Sequence, residues 1–137
     1  MNTKDIGTSG EHLAVYKLLA KGLTISRPLG DNSPYDLILD INGQLLTCQV
    51  KTRRSTDVDK VQFNLRGIEY GTLKNKRYSV DCFCCVDLST EEVFLIPNVD
   101  INVSITIRYT QPLTSNGRDI TYAKDVTIDK FLEVYGS

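Results

Sequence analysis

The 137-residue chain has no tryptophan, one methionine, one histidine and four prolines. A lone histidine, His12, cannot complete a zinc centre with cysteines at 48, 82, 84 and 85, whose spacing contains no C-x-x-C pair. The same clustering excludes a disulfide framework. The four cysteines are therefore expected as small buried hydrophobes in strands, in a reducing cytoplasm. No apolar run approaches the roughly 20 residues that cross a membrane, and the N-terminus has no charged-then-apolar leader, so no membrane partner is expected. Internal repeats, low-complexity segments and linkers are also missing. The length suits one domain, residues 1–137, with a core of its own.

Net charge is nearly absent too, at −1, which by itself speaks against a polyanionic partner. Its distribution speaks for one. Residues 51 to 77 carry eight Lys or Arg (Lys51, Arg53, Arg54, Lys60, Arg66, Lys74, Lys76 and Arg77) against three acids. Residues 81 to 107 carry five acids and no base. Phosphate binding depends on local rather than total charge, so the first stretch is a candidate nucleic-acid surface. A solvated charged loop is the competing reading.

What the sequence does have is Asn42-Gly43 between two apolar-rich runs, Tyr35 to Ile41 and Gln44 to Thr52. Asn-Gly in that setting signals a two-residue type I′ hairpin turn. Such a loop pairs Ile41 with Gln44 and, counted down the strands, sets Asp36 opposite Gln49. Lys51 lies on the same face, one diagonal step away. The other face carries Leu37, Leu39, Leu46, Cys48 and Val50, a core pattern.

A helix is expected from Gly10 to Ala20, entered through Thr8, Ser9 and Gly10 and closed by Gly22. On it Ala14, Val15 and Leu18 follow Glu11 at i+3, i+4 and i+7, so Glu11 sits in the apolar stripe. A carboxylate there needs a cation, a donor or water. His12 points about 100° away and is expected at the surface.

Glu11, Pro34-Tyr35-Asp36 and Gln49-Val50-Lys51 together resemble the PD-(D/E)XK nuclease signature: an acid on a first helix, an Asp on one strand and a (D/E)-x-K triplet on the next. The chain is similar in particular to the small PD-(D/Q)XK homing endonucleases of cyanobacterial group I introns. Two departures stand out. Tyr35 separates the Pro from the Asp, and Gln49 replaces an acid, removing one negative charge from the metal site. The resemblance implies a restriction-endonuclease-like α/β core, a mixed sheet flanked by helices. It also implies site-specific hydrolysis of double-stranded DNA with a divalent metal, Mg²⁺. Glu11, Asp36, Gln49 and Lys51 would then be catalytic. Asp36, the Gln49 side-chain oxygen, the Val50 carbonyl and Glu11 would hold the metal, since hard oxygens with open water positions suit Mg²⁺. A structure-specific nuclease or Holliday junction resolvase on the same core, and a DNA-binding module with a decayed site, stay open as alternatives.

Val61 to Arg66 alternates as a strand whose polar face, Gln62, Asn64 and Arg66, has the chemistry to meet base edges. Arg53, Arg54, Lys74, Lys76 and Arg77 are expected at phosphates. Gly67 to Lys76 reads as either a short helix or a loop. Strands follow at Leu23 to Arg27, Val80 to Val86, Val93 to Ile96 and Ile101 to Ile107. Tyr109 to Thr121 reads as loop, and a last helix, capped by Thr127, should bury Ile128, Phe131, Leu132 and Tyr135. A double-strand break needs two hydrolytic sites on strands of opposite polarity, so a homo-oligomer, dimer or tetramer, is expected. The Ile101 to Ile107 strand and the last helix are the candidate contacts, unless both pack within one subunit.

Overall fold

The computed structural model describes residues 1–30, 33–69, 72–77, 79–111 and 120–136, with the backbone alone for 68, 69 and 72–77. The first helix, α1, spans Thr3–Ala20 and so starts well before the expected entry at Thr8 to Gly10. Asn2 is its N-cap. The Asn2 Oδ1 accepts the Asp5 N–H at 2.9 Å, satisfying one of the free amides at the helix start, and Asp5 complements the dipole there. Gly22, at φ 89°, closes the helix as expected.

β1 (Thr24–Ser26), β2 (Leu37–Ile41) and β3 (Gln44–Arg53) follow. Asn42 and Gly43 have φ of 52° and 88°, the two positive angles that a type I′ turn requires. The register is the one counted from that turn, from Ile41↔Gln44 to Leu37↔Cys48. The central sheet has the order β1-β2-β3-β7-β8, with β7 at Cys82–Asp87 and β8 at Glu92–Pro97. Its β3–β7 pair is parallel and the others are antiparallel, which makes the sheet mixed. One core lies between this sheet and the helices, gathering Leu18, Leu39, Cys48, Cys84 and Phe131. All four cysteines are free and buried.

The opposite face carries Phe83, Cys85, Phe94 and Ile96 and packs on a second, three-stranded sheet through Val61, Phe63 and Ile107. That sheet has the order β10-β9-β4, made of β4 (Lys60–Asn64), β9 (Ser104–Arg108) and β10 (Thr121–Tyr122). The three phenylalanines are almost wholly buried, and each such side chain stabilises the fold by about 1.5–3 kcal/mol.

Three sequence expectations change here. Arg66 does not continue β4: the Asn64 Oδ1 takes the Arg66 N–H at 3.0 Å, and the chain turns off into a new strand. The described part of Gly67 to Lys76 is strand rather than helix or loop, in a pair of β5 (Arg66–Glu69) and β6 (Thr72–Arg77); residues 70 and 71 lie outside the described residues. The Tyr109 to Thr121 stretch ends in β10, which pairs in parallel with β9; its residues 112–119 lie outside the described residues.

A buried carboxylate ties the two sheets together. Asp87, with no exposed surface, accepts from Ser89 N–H (3.0 Å), Ser89 Oγ (2.6 Å), the Tyr109 hydroxyl (2.8 Å) and Ser55 N–H (3.4 Å). The last helix, α2 (Ile128–Tyr135), is capped by Thr127, whose Oγ1 accepts the Lys130 N–H at 3.1 Å. It buries Ile128 and Phe131 and half-buries Leu132 and Tyr135. Lys21 pairs with Asp129 at 2.8 Å, and the Asn42 amide donates to the Gly136 carbonyl.

Candidate functional site

The β2–β3 ladder ends at Leu37↔Cys48, one residue short of Asp36. The Asp36 N–H still donates to the Cys48 carbonyl at 2.9 Å, and the Asp36 Oδ2 accepts the Val50 N–H at 2.9 Å. The backbone pairing thus stops just before the Asp36–Gln49 position that counting along the hairpin gives, and Asp36 bonds the residues on either side of Gln49. Its side chain takes the next free amide of β3 in place of a backbone carbonyl. The N–H and C=O of one strand residue point toward the same neighbouring strand. The Val50 carbonyl is thus aimed to the side of Asp36, beyond the point where β2 has stopped. Among the described residues, Asp36 Oδ1 accepts no hydrogen bond.

Lys51, the next residue on β3, is half-buried, with Nζ 3.4 Å from the Arg66 carbonyl. Burial raises the Asp36 pKa above its ordinary value, against the opposing pull of the Val50 N–H, Lys51 and Arg27. Burial likewise lowers that of Lys51, opposed by Asp36 and Cys85. Each is the nearby countercharge of the other. Desolvation still dominates both, so both ionised forms are destabilised and receptive to a ligand that would neutralise them.

Helix α1 brings the fourth member. Gly10 is buried in mid-helix against Thr52 of β3: a Cβ built there would lie 1.9 Å from Thr52 Oγ1 and 2.4 Å from its Cγ2. Only a glycine allows the helix this close, and the approach sets Glu11 at the site. Glu11 Oε1 lies 3.7 Å from Arg27 Nε, the cation that its place in the apolar stripe calls for. His12 is exposed. Two open cavities, about 410 and 270 Å³, share Glu11 and Asp36. The larger is completed by Val50, Lys51 and the first turns of α1, including Lys4 and Thr8. Sequence reading missed Lys4, Thr8 and Arg27. An Asn followed three residues later by an acid was the available signal for the early helix start. Nothing local marks Arg27.

The donors fit a hard cation. Two carboxylates and a peptide carbonyl border one cavity, and Mg²⁺ is commonly held by one or two carboxylates plus water and substrate phosphate. Among the described residues no three His, Cys, Asp or Glu side chains form a metal-holding group. Gln49 shares the Lys51 face of β3 and borders neither cavity.

The PD-(D/E)XK endonuclease family model matches residues 1–129. The chain belongs to the PD-(D/E)XK endonuclease family. A similar solved structure is that of a bacterial homing endonuclease, I-Ssp6803I, at 20% identity, covering 98% of this chain and 91% of that one with a TM-score of 0.69. That likeness shows the shared fold. A search of curated proteins finds no significant match.

In this PD-(D/E)XK chain, Arg53 and Arg54 are exposed at the end of β3, and Gln62 and Asn64 are exposed on β4. Arg53, Arg54 and Gln62 border one cavity of about 260 Å³. Arg66 sits apart on β5. Lys74, Lys76 and Arg77 belong to β6, where their side chains lie outside the described residues. Among the described residues no helix is long and apolar enough to cross a membrane.

Proposed function

We propose that this protein, residues 1–137 as one domain, is a Mg²⁺-dependent endonuclease that cuts double-stranded DNA site-specifically, as an intron-encoded homing enzyme in the cytoplasm. The observation that carries the reading is the Asp36 carboxylate, fixed by the Val50 N–H beside Lys51 and facing Glu11 across one cavity. Membership of an endonuclease family supports it, and so does the fold shared with a homing endonuclease. Asp36, Glu11 and the Val50 carbonyl would hold the metal, and the Gln49 side-chain oxygen would join them only by turning toward the cavity that it does not border. When bound, Mg²⁺ polarises the scissile phosphate and acidifies its water.

The chain's own residues do the rest. Asp36 is held in one orientation by the Val50 N–H, so its second oxygen is preset toward the cavity. Lys51 supplies positive charge where negative charge develops on the phosphoryl oxygens, in a half-buried setting where that charge acts more strongly than in water. Arg53 and Arg54 hold phosphates next to the cut.

Two cuts require two sites, so the protein acts as a two-fold assembly, a dimer or tetramer. The segments expected to build it turn inward. Ile107 of β9 and Ile128 and Phe131 of α2 are buried within the subunit, because each supplies one side of a core.

The test is cleavage of supercoiled plasmid carrying the target, with MgCl₂. Wild type is expected to cut. Asp36→Asn and Lys51→Ala are expected to bind DNA, keep the fold and leave the plasmid intact. Full cleavage by either variant would refute the site, and preference for four-way junctions over linear duplex would make the enzyme a resolvase. Binding without cutting by wild type would make it a decayed nuclease.

A further inference from the structure

The outer face of the β4–β9 pair takes no part in the chemistry above. Alternation sends Val61, Phe63 and Ile107 inward to the second core. It leaves Lys60, Gln62 and Asn64 on the outer face of β4 and Ser104, Thr106 and Arg108 on that of β9. The register sets these outer residues directly across from one another, as Lys60↔Arg108, Gln62↔Thr106 and Asn64↔Ser104. Six polar side chains form one panel with no large apolar group in it.

Two features of the panel are unfavourable in the free protein. Lys60 and Arg108 are like charges directly opposed, an arrangement that destabilises a sheet. Among the described residues no carboxylate pairs with either, and Arg108 Nε donates to the Thr110 carbonyl, at 3.3 Å. Of the nearby acids, Asp57 Oδ1 accepts the Asp59 N–H and Asp59 Oδ1 accepts from Thr110, while Asp100 borders a cavity with Ser104, Thr106 and Arg108 without forming an ion pair among the described residues. Among the described residues, the side chains of Lys60, Gln62, Ser104 and Thr106 make no hydrogen bond or ion pair. The backbone beneath is firm. Pairing extends past both ends of the ladder through Leu65 N–H to the Val103 carbonyl (2.8 Å) and Tyr109 N–H to the Asp59 carbonyl (2.7 Å), and β10 braces β9 from the far side.

The panel is also continuous with the nuclease site. Lys60, Gln62 and Thr106 border the same cavity as Arg53 and Arg54, at the end of the strand that carries Lys51. We infer that the β4–β9 face is a two-stranded reading head for the major groove of duplex DNA, with Thr106 and Ser104 completing, beside Gln62 and Asn64, the contacts to base edges and Lys60 and Arg108 gripping a phosphate. The inference rests on the endonuclease reading. A two-stranded ribbon enters the roughly 12 Å wide major groove. The five paired residues of β4 and β9 reach about 14 Å along the strands at about 3.4 Å per residue, the rise of roughly four base pairs. Gln62 can make a bidentate contact to adenine, and the Asn64 amide N–H can donate to a base edge while its Oδ1 stays on the Arg66 N–H. The short hydroxyl opposite each leaves the amide room to reach, and the Thr106 methyl can meet a thymine methyl.

The test is selection of randomised linear duplex by the full chain without Mg²⁺, followed by affinity measurement across salt. Thr106→Ala and Gln62→Ala are expected to relax preference at the same or an adjacent base pair, by roughly five-fold or more. Ser104→Ala and Asn64→Ala should do so about two base pairs away, as their spacing along the strands requires. Lys60→Gln and Arg108→Gln should weaken binding to every sequence alike and lower the salt slope by about one each. The melting temperature of Lys60→Gln should hold or rise as the like-charge pair is removed. If Thr106→Ala and Ser104→Ala select the wild-type sequence with wild-type affinity, the reading head is refuted while the endonuclease reading stands. If the wild-type chain binds no duplex even at low salt, both are overturned.

Discussion

Replacing Gly10 with alanine would test whether the crossing of α1 over β3 builds the site. The added Cβ would meet Thr52 Oγ1 at 1.9 Å, Cγ2 at 2.4 Å and Cβ at 2.7 Å. Ordinary contact begins near 3.5 Å, so the helix or the strand must retreat by about 1.5 Å. Thr52 cannot relieve the clash by rotating, because its own Cβ is among the offending atoms. Overpacking of this kind costs about 1–3 kcal/mol, while alanine gains about 1 kcal/mol over glycine inside a helix. A net loss of up to about 2 kcal/mol follows, small enough for the protein to stay folded.

The effect on cleavage should be larger. Glu11 adjoins Gly10 and moves with the helix, and a misplacement of about 1 Å in a catalytic constellation can cost about 100-fold in rate. Plasmid nicking at saturating Mg²⁺, read beside a thermal melt, separates the two quantities. Thr52→Gly in the same chain removes these three atoms and should restore most of the rate, although glycine in a strand lowers stability. Wild-type cleavage and an unchanged or higher melting temperature in Gly10→Ala alone would show that the helix does not depend on this approach.

Other outcomes follow from the same site. Burial raises Asp36 above its ordinary 3.8, so the folded state binds that proton more tightly than the unfolded chain. The resulting stabilisation is complete below 3.8 and is lost as pH climbs through the raised native value. The melting temperature of Asp36→Asn minus that of wild type should therefore grow from about pH 4 upward. Mg²⁺ should raise the wild-type value above that window and leave the variant unmoved. Gln49→Glu is expected to keep activity and to bind Mg²⁺ more tightly in calorimetry without DNA; equal affinity would remove Gln49 from the donor set. Arg53→Glu and Arg54→Glu should weaken DNA binding and flatten its salt dependence, whereas Glu91→Lys and Glu92→Lys should do neither. Tyr109→Phe deletes the hydroxyl that donates to Asp87 at 2.8 Å and should cost about 1.5–3 kcal/mol in denaturant melts.

Local chemistry made the centre of this fold legible and left its periphery dark. Asn-Gly forces two positive φ angles, and that single constraint fixes the pairing of β2 with β3, the buried face and the nearness of Asp36 to Lys51. That the backbone ladder stops short of Asp36 was not readable, because a side chain rather than the backbone accepts the Val50 N–H. The early start of α1 was obscured because its first two turns hold little that is apolar besides Ile6. Gly10 looked like an entry residue when its true reason is a neighbour 42 positions along the chain. Arg27 beside Glu11 and β10 beside β9 likewise depend on non-local closure, which leaves no periodic trace. Arg66 was misplaced by a side chain again: an Asn64 amide oxygen diverted the strand.

The Asn42-Gly43 turn also bears on the order in which the chain folds. A hairpin closed by two residues can form in roughly 1–10 μs, whereas the parallel pairing of β3 with β7 must first close the long excursion through β4, β5 and β6. The edge that carries Asp36, Val50 and Lys51 therefore belongs to the earliest structure, and the sheet is assembled onto it. Substitutions at Gly43 should slow refolding more than they hasten unfolding, while substitutions in β7 should act mainly on the unfolding limb. Chevron kinetics on Gly43→Ala and Val86→Ala would separate these cases.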